Sequence, residues 1–249
     1  MQTCWAACLG DCSDKISGEH IITDGIFLAD SVKVKGLPWC LDDFKTIGLA
    51  SLVKNVLCTH HNSRLSEADA SAIQLRKAVC DLAELSEERR LMPPLDWPVR
   101  RFSVNGFALE RWCLKTLITI AFHGRFPIGD GDSLPGDPPR ALVETAFGLR
   151  QLQPPRTGLY LIGDIGGEVK VAEGVVVTTF SSRANRLAGA RFWFWGLELL
   201  LMLSDGPTGQ FSFTSADGKQ TINPKSRYRP PALYCSVHGR PSHVLEFAW

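Results

Sequence analysis

The sequence LCTHHNSRLSEADA, residues 57–70, combines metal-ligand side chains with the start of a helix. Cys58 and His61 have the C-x2-H spacing of one zinc knuckle, in which a short turn presents a thiolate and an imidazole to the same ion. From Ser66 onward, apolar residues recur near the period of a helix. The prolines of LMPPLDWP cannot continue that helix, so it should end near Arg90. The stretch therefore predicts a metal-binding turn that leads into a long helix.

Three more cysteines precede this turn with C-x3-C-x3-C spacing: Cys4, Cys8 and Cys12. This spacing is one residue longer than that of the usual knuckle, so it leaves open which of the three complete a site. We favour Cys4 and Cys8, because Cys12 lies close to an acid–histidine pair with a different expected role. Cys40 is a reserve ligand, and free thiols are the alternative to any metal. The predicted ligands of a structural zinc ion are Cys4, Cys8, Cys58 and His61.

The acid–histidine pair is Glu19 and His20, in the segment SGEHIIT. Adjacent side chains point to opposite faces of an extended strand, so one can face a metal while the other faces a substrate. A histidine can act as a general base near neutral pH. Glu19 and the side-chain oxygen of Asn62 offer the oxygen ligands that Mg²⁺ or Mn²⁺ prefers. The alternatives are a surface acid beside a hydrogen-bonded histidine, and Asn62 as a helix N-cap.

The order of these motifs resembles the HNH endonuclease superfamily in its zinc-containing form. In that family an acid–histidine pair on a strand is followed by a second zinc knuckle and directly by an asparagine, as SGEHIIT and LCTHHN are arranged here. The resemblance covers residues 4–70 and implies a ββα-metal (treble-clef-like) module. It also implies that His20 activates water, that Glu19 and Asn62 hold a catalytic Mg²⁺ or Mn²⁺ ion, and that zinc only holds the fold.

Two further helices are expected before the strand-rich part of the chain. One should run from about residue 107 to 122, and a shorter one from about 140 to 150. The two cations of RWCLK in the first of these, Arg111 and Lys115, belong either to a solvated helix face or to a face that contacts DNA phosphates together with Arg100 and Arg101.

The last part of the chain is rich in β-branched and aromatic residues. From Gly158 onward, runs of such residues separated by turn residues predict a mostly antiparallel sheet, with 192–203 as a buried strand or strand pair. The expected fold class is α+β. We expect the HNH-like zinc module and its following helix at 1–90, and an α+β domain with the C-terminal antiparallel sheet at 91–249.

Composition limits the function only weakly. The 249 residues are 45% hydrophobic and carry a formal net charge of +1, which does not indicate a nucleic acid or a membrane as partner but leaves room for a local basic patch. We recognise no secretory signal, and the most apolar run contains Glu198 and is too short to span a membrane. We therefore expect a cytoplasmic protein with reduced cysteines and no membrane partner.

The sequence thus favours a metal-dependent HNH-type endonuclease that cuts phosphodiester bonds, with DNA as the expected nucleic acid partner. The second part of the chain would position the substrate or bind a protein regulator. A non-catalytic module, stabilised by zinc and carrying a degenerate HNH site, is the alternative, and it would bind a protein or ligand through the C-terminal half. A redox or metal sensor that uses exposed cysteines is a third interpretation.

Overall fold

The computed structural model describes residues 4–34, 43, 45–94, 96–130, 134–162, 174–181, 186–204 and 227–249. Within these ranges the protein is a mixed α+β structure with four α-helices. The helices are α1, Thr59–Arg64; α2, Ser66–Leu91; α3, Gly106–Gly124; and α4, Arg140–Ala146. None of the helices in these ranges combines the length and the apolar character needed to cross a membrane.

A strand pair in the N-terminal quarter leads directly into the first helix. β1 and β4 pair antiparallel, with His20 opposite Val53, and β2 and β3 form a separate antiparallel pair between them in sequence. α1 begins immediately after β4 because Sγ of Cys58 accepts a hydrogen bond from the backbone N–H of His61 and so caps the helix. The strands are β1, Ile16–His20; β2, Ser31–Val34; β3, Lys45–Gly48; and β4, Val53–Cys58.

The predicted long helix is confirmed as α2, which ends at Leu91. Its buried positions include Ala72, Leu75, Val79 and Leu82, which recur at the spacing of one helix face. This face packs against α3, so α2 joins the turn at residues 58–61 to the central helix.

Helix α3 is the centre of the molecule. It confirms the helix expected at 107–122, and its N-terminus is capped by the side chain of Asn105. Every residue from Trp112 to Ala121 is buried, as expected for a helix that other elements surround. Lys115 is only 1% exposed, so both expectations for this residue, a solvated face and a DNA-contacting face, are wrong. α4 is shorter than the predicted 140–150 helix.

Among the described residues from Arg100 onward, the strands form two sheets. The larger sheet has the order β10-β6-β9-β8-β7 with every neighbouring pair antiparallel, which confirms the predicted antiparallel sheet. The smaller sheet has the order β11-β12-β5, in which β12 runs parallel to β5. The strands are β5, Arg100–Asn105; β6, Gly158–Ile162; β7, Val175–Ser181; β8, Leu187–Phe194; β9, Leu197–Met202; β10, Arg227–Tyr228; β11, Ala232–Val237; and β12, Arg240–Ala248.

The N-terminal module and the larger sheet share one hydrophobic core. The run 192–203 contains the end of β8, the turn and all of β9, and these paired strands are the buried strand pair expected from the sequence. Phe192 packs against Trp112 of α3 with ring centroids 5.7 Å apart. At the hairpin turn, Nε1 of Trp195 donates a hydrogen bond to the carbonyl of Ile26 at 3.1 Å. The predicted division into 1–90 and 91–249 stays a prediction.

Candidate metal centre and adjoining cleft

Three thiols and one imidazole converge where the N-terminal segment meets the start of α1. Their ligand atoms all lie within 4.8 Å of one another. Nδ1 of His61 lies 3.4 Å from Sγ of Cys4, 3.6 Å from Sγ of Cys12 and 3.1 Å from Sγ of Cys58. Cys12 is exposed, and the other three members of this Cys3His cluster are buried.

The separations match the edges of a tetrahedron around zinc. With zinc–sulfur bonds of about 2.3 Å and zinc–nitrogen bonds of about 2.0 Å, a tetrahedral site places sulfur and nitrogen roughly 3.5 Å apart. Three thiolates with one imidazole are also a ligand set that structural zinc sites use. The Cys3His cluster could therefore bind a metal ion such as zinc.

Asp11 fixes the orientation of the His61 ring. Oδ1 of Asp11 lies 2.7 Å from Nε2 of His61, and Oδ2 contacts both His60 and Arg64. An ionised carboxylate only accepts hydrogen bonds, so Nε2 of His61 carries the proton and Nδ1 presents its lone pair to the three sulfurs. A carboxylate behind a metal-binding histidine is the usual support for such a ligand. Partial burial opposes ionisation of Asp11, but the hydrogen bonds from His61 and His60 hold its pKa below the ordinary value.

The three thiols differ in how readily they ionise. Although Cys12 is exposed, partial loss of hydration of its thiol and the neighbouring thiols of Cys4 and Cys58 raise its pKa to about 12. Burial also opposes ionisation of Cys58, but hydrogen bonds from the backbone of His61 and from Ser13 lower its pKa to about 6. Three thiolates at this distance repel one another, and a metal ion removes that repulsion as it displaces the thiol protons.

The structure corrects the predicted zinc ligands at one position. Cys8 is not in the cluster, and Cys12 takes its place. The reason is local: a 3-10 turn at Ala7–Leu9 carries Cys8 away, and Gly10 adopts a left-handed conformation with φ of 87° that lets the chain reverse. Asp11 and Cys12 then both reach His61. The reserve ligand Cys40 lies outside the described residues.

A cleft of about 330 Å³ opens next to the cluster, at the residue that follows His61. The predicted site residues Glu19, His20 and Asn62 all line it, so the structure brings together the side chains that the sequence singled out. The cleft is also lined by residues that the sequence did not assign to the site: Thr23, Asp24, Ser66, Asp69 and Lys115.

Glu19 and His20 point to different surroundings, as expected for neighbours on a strand. Glu19 is only 3% exposed, whereas the side chain of His20 is partly exposed in the cleft, with Nε2 4.0 Å from Oδ2 of Asp24. Asn62 holds this strand in place: its Nδ2 donates to Oγ of Ser17 at 3.0 Å and to the carbonyl of Gly18 at 3.2 Å.

The buried side of the cleft contains a cation between two acids. Nζ of Lys115 donates to Oε1 of Glu19 and, at 2.7 Å, to Oδ1 of Asp69. Burial raises the pKa of Glu19, and the ammonium of Lys115 opposes that rise. The hydroxyl of Thr23 also bonds to Oδ1 of Asp69, and it accepts a hydrogen bond from Nε1 of Trp112. One signal for this network is present in the sequence, because Lys115 is the only charged residue in WCLKTLITIA.

The predicted catalytic Mg²⁺ or Mn²⁺ ion does not fit this donor set as it is arranged. The carboxylate of Glu19 is paired with an ammonium, and the amide nitrogen of Asn62 is used to hold β1. A divalent ion bound to Glu19 would lie beside the positive charge of Lys115 in a low-dielectric environment. The residues would have to rearrange before such an ion could bind.

Comparison of the chain with protein-family models, with curated proteins and with solved structures finds no match. The residues themselves therefore carry the functional assignment. They form a Cys3His cluster and, beside it, a cleft that holds a histidine and a buried ammonium between two carboxylates.

Proposed function

We propose that the protein is an HNH-type endonuclease that hydrolyses phosphodiester bonds in the cleft, with DNA as the expected substrate. The observation that carries this proposal is the meeting of Glu19, His20 and Asn62 in one cleft next to a Cys3His cluster. These residues belong to an antiparallel strand pair followed by a helix, which is the order of elements in a ββα-metal module.

Zinc has a structural role in this proposal. It would be held by Cys4, Cys12, Cys58 and His61 and would supply the positive charge that lets three thiolates lie together. The ion would tie the N-terminal segment to the junction of β4 and α1, from which Asn62 reaches the cleft.

His20 is the proposed general base. Its imidazole is partly exposed in the cleft, where it can accept a proton from water while the water oxygen attacks phosphorus and the leaving oxygen departs with its bonding electrons. The carboxylate of Asp24 lies 4.0 Å from Nε2 of His20, on the same side of the cleft. Asn62 acts as a positioning residue, because it fastens the strand that carries His20.

The test is hydrolysis of supercoiled plasmid and of RNA by the zinc-loaded protein, with and without added Mg²⁺ or Mn²⁺. General-base catalysis contributes roughly a hundredfold or more, so His20→Ala should reduce cleavage by at least that factor. His238→Ala is the matched control, because His238 lies at the β11–β12 turn and stacks on Trp97. Equal cleavage by wild type and His20→Ala would contradict the assignment of the base.

A second candidate function is a non-catalytic binding module whose HNH-like site is degenerate. The observation that favours it is the engagement of Glu19 by Lys115, together with the negative charge of Asp24 and Asp69 around the cleft, which repels a phosphate backbone. In this case the C-terminal half would bind a protein or ligand. Absence of cleavage by the folded, zinc-loaded protein under all the conditions above would favour this candidate.

A further inference from the structure

We propose that the ammonium of Lys115 is the resident cation of the cleft: it occupies the position between Glu19 and Asp69 that a divalent metal would otherwise take. The inference concerns the same cleft as the proposed function, and its catalytic consequence rests on that function. Its structural content, a cation supplied by the chain itself, can be tested without any measurement of cleavage.

The burial of Lys115 requires partners of opposite charge. Lys115 is 1% exposed and lies on a helix that is buried on all sides from Trp112 to Ala121. An ammonium in such a place needs close opposite charges, since the loss of its hydration is otherwise uncompensated. Glu19 and Asp69 supply these charges from two other elements, β1 and α2.

Asp69 accepts hydrogen bonds from more than one donor in this network. Oδ1 of Asp69 is bonded by both Lys115 and Thr23, and Thr23 is itself held by Trp112 at 2.9 Å. The position of Asp69 is therefore fixed from α3 at two points, by Lys115 directly and by Trp112 through Thr23. A loosely placed surface lysine would not be built into a network of this kind.

The charges of Lys115, Glu19 and Asp69 do not cancel. Two carboxylates and one ammonium leave one negative charge at the buried end of the cleft. Without Lys115, two carboxylates would lie on opposite sides of an empty position, which is the arrangement that binds a divalent oxygen-seeking ion. The amine therefore acts through Glu19 and Asp69 as a positioning residue, and hydrolysis in the cleft should not require added Mg²⁺ or Mn²⁺.

The experiment measures binding of Mn²⁺ to the full-length, zinc-loaded protein by electron paramagnetic resonance. Three proteins are compared with the wild type: Lys115→Met, which keeps the length of the side chain, the double variant Glu19→Gln/Lys115→Met, and Glu19→Gln. We expect the wild type to bind Mn²⁺ at least tenfold more weakly than Lys115→Met, and we expect the double variant to lose that gain.

Two results would overturn the inference. One is a wild-type protein that binds one equivalent of Mn²⁺ and loses it in Glu19→Gln; the other is a Lys115→Met protein that binds no more tightly than the wild type. If Lys115→Met does not fold, Mn²⁺ binding is compared between the wild type and Glu19→Gln only. Absence of a Glu19-dependent Mn²⁺ site in the wild type then supports the inference.

The two proposals fail in different ways. A gain of Mn²⁺ binding in Lys115→Met without any cleavage by the wild type would support the resident cation and contradict the nuclease. Cleavage that requires Mn²⁺, together with a Glu19-dependent Mn²⁺ site in the wild type, would support the nuclease and contradict the resident cation.

Discussion

The Cys3His cluster and the cleft beside it gather ionisable groups in the same part of the molecule, but they obtain positive charge differently. The cluster places three thiols around one imidazole nitrogen, so it becomes a stable site when a metal ion supplies the charge. The cleft contains the ammonium of Lys115 between two carboxylates, so the charge belongs to the chain. A site that binds an exchangeable metal ion depends on the supply of that ion. A site whose cation is a side chain of the protein does not.

The largest effect should come from removing the exchangeable cation. Structural zinc binds with on the order of 10 kcal/mol of free energy in small zinc modules, so Cys12→Ser should release zinc and cause the greatest loss of unfolding free energy. Zinc content by mass spectrometry and thermal unfolding measure the two effects. Cys8→Ser is the matched control and should keep the ion. Loss of zinc from Cys8→Ser but not from Cys12→Ser would favour the ligand set predicted from the sequence.

Removing the ammonium of Lys115 should have the next largest effect on the free energy of unfolding. Lys115→Met leaves the buried carboxylate of Glu19 without its partner, and breaking a buried pair in this way costs roughly 3–5 kcal/mol. Urea unfolding at neutral pH measures this loss. Glu19→Gln/Lys115→Met should recover much of it, because the unpaired charge is gone. A single variant as stable as the wild type would show that the pair contributes little.

A smaller effect on zinc affinity should follow from changing the support of His61 in the proposed zinc site. Asp11→Asn removes the carboxylate that orients His61, and loss of such a partner typically lowers metal affinity by roughly 10- to 100-fold. Competition with a zinc chelator measures the affinity. Asp14→Asn, on the same exposed loop, should leave the affinity unchanged. Equal affinities for both variants would mean that Asp11 has no role in the site.

The smallest effect is expected at a buried histidine that belongs to neither region. Burial and the nearby charge of Arg89 lower the pKa of His243, so the folded protein holds it neutral where the unfolded chain takes up a proton. Its contribution to stability is therefore present above the unfolded pKa of about 6.5 and is lost as pH falls below that value. Unfolding at pH 7.5 and 5.5 should show a smaller difference for His243→Gln than for the wild type.

Much of the fold was predictable because its signals are local. The apolar period after Ser66 and the prolines after Leu91 defined α2, and the aromatic and β-branched runs after Gly158 defined the antiparallel sheet. Glu19, His20 and Asn62 could be assigned to one site because their order in the chain resembles a known arrangement. Whether that arrangement forms a ββα-metal module stays a prediction.

The choice of Cys12 over Cys8 was not predictable in the same way. It depends on a 3-10 turn followed by a left-handed Gly10, and a spacing of cysteines does not report how a short segment turns. The role of Lys115 was missed for a different reason. A lone charge on a helix is usually solvated, and only the elements packed around α3 decide that this one is buried.

The Glu19–Lys115 pair also bears on how quickly the chain folds. The two residues are 96 positions apart, so they meet only after a long loop has closed, and both side chains keep their hydration until then. Removing the hydration of both ions costs free energy before their mutual attraction can compensate for it, which raises the barrier to folding. A variant that replaces the whole buried network with apolar residues of similar volume should therefore refold faster than the wild type, whatever becomes of its activity.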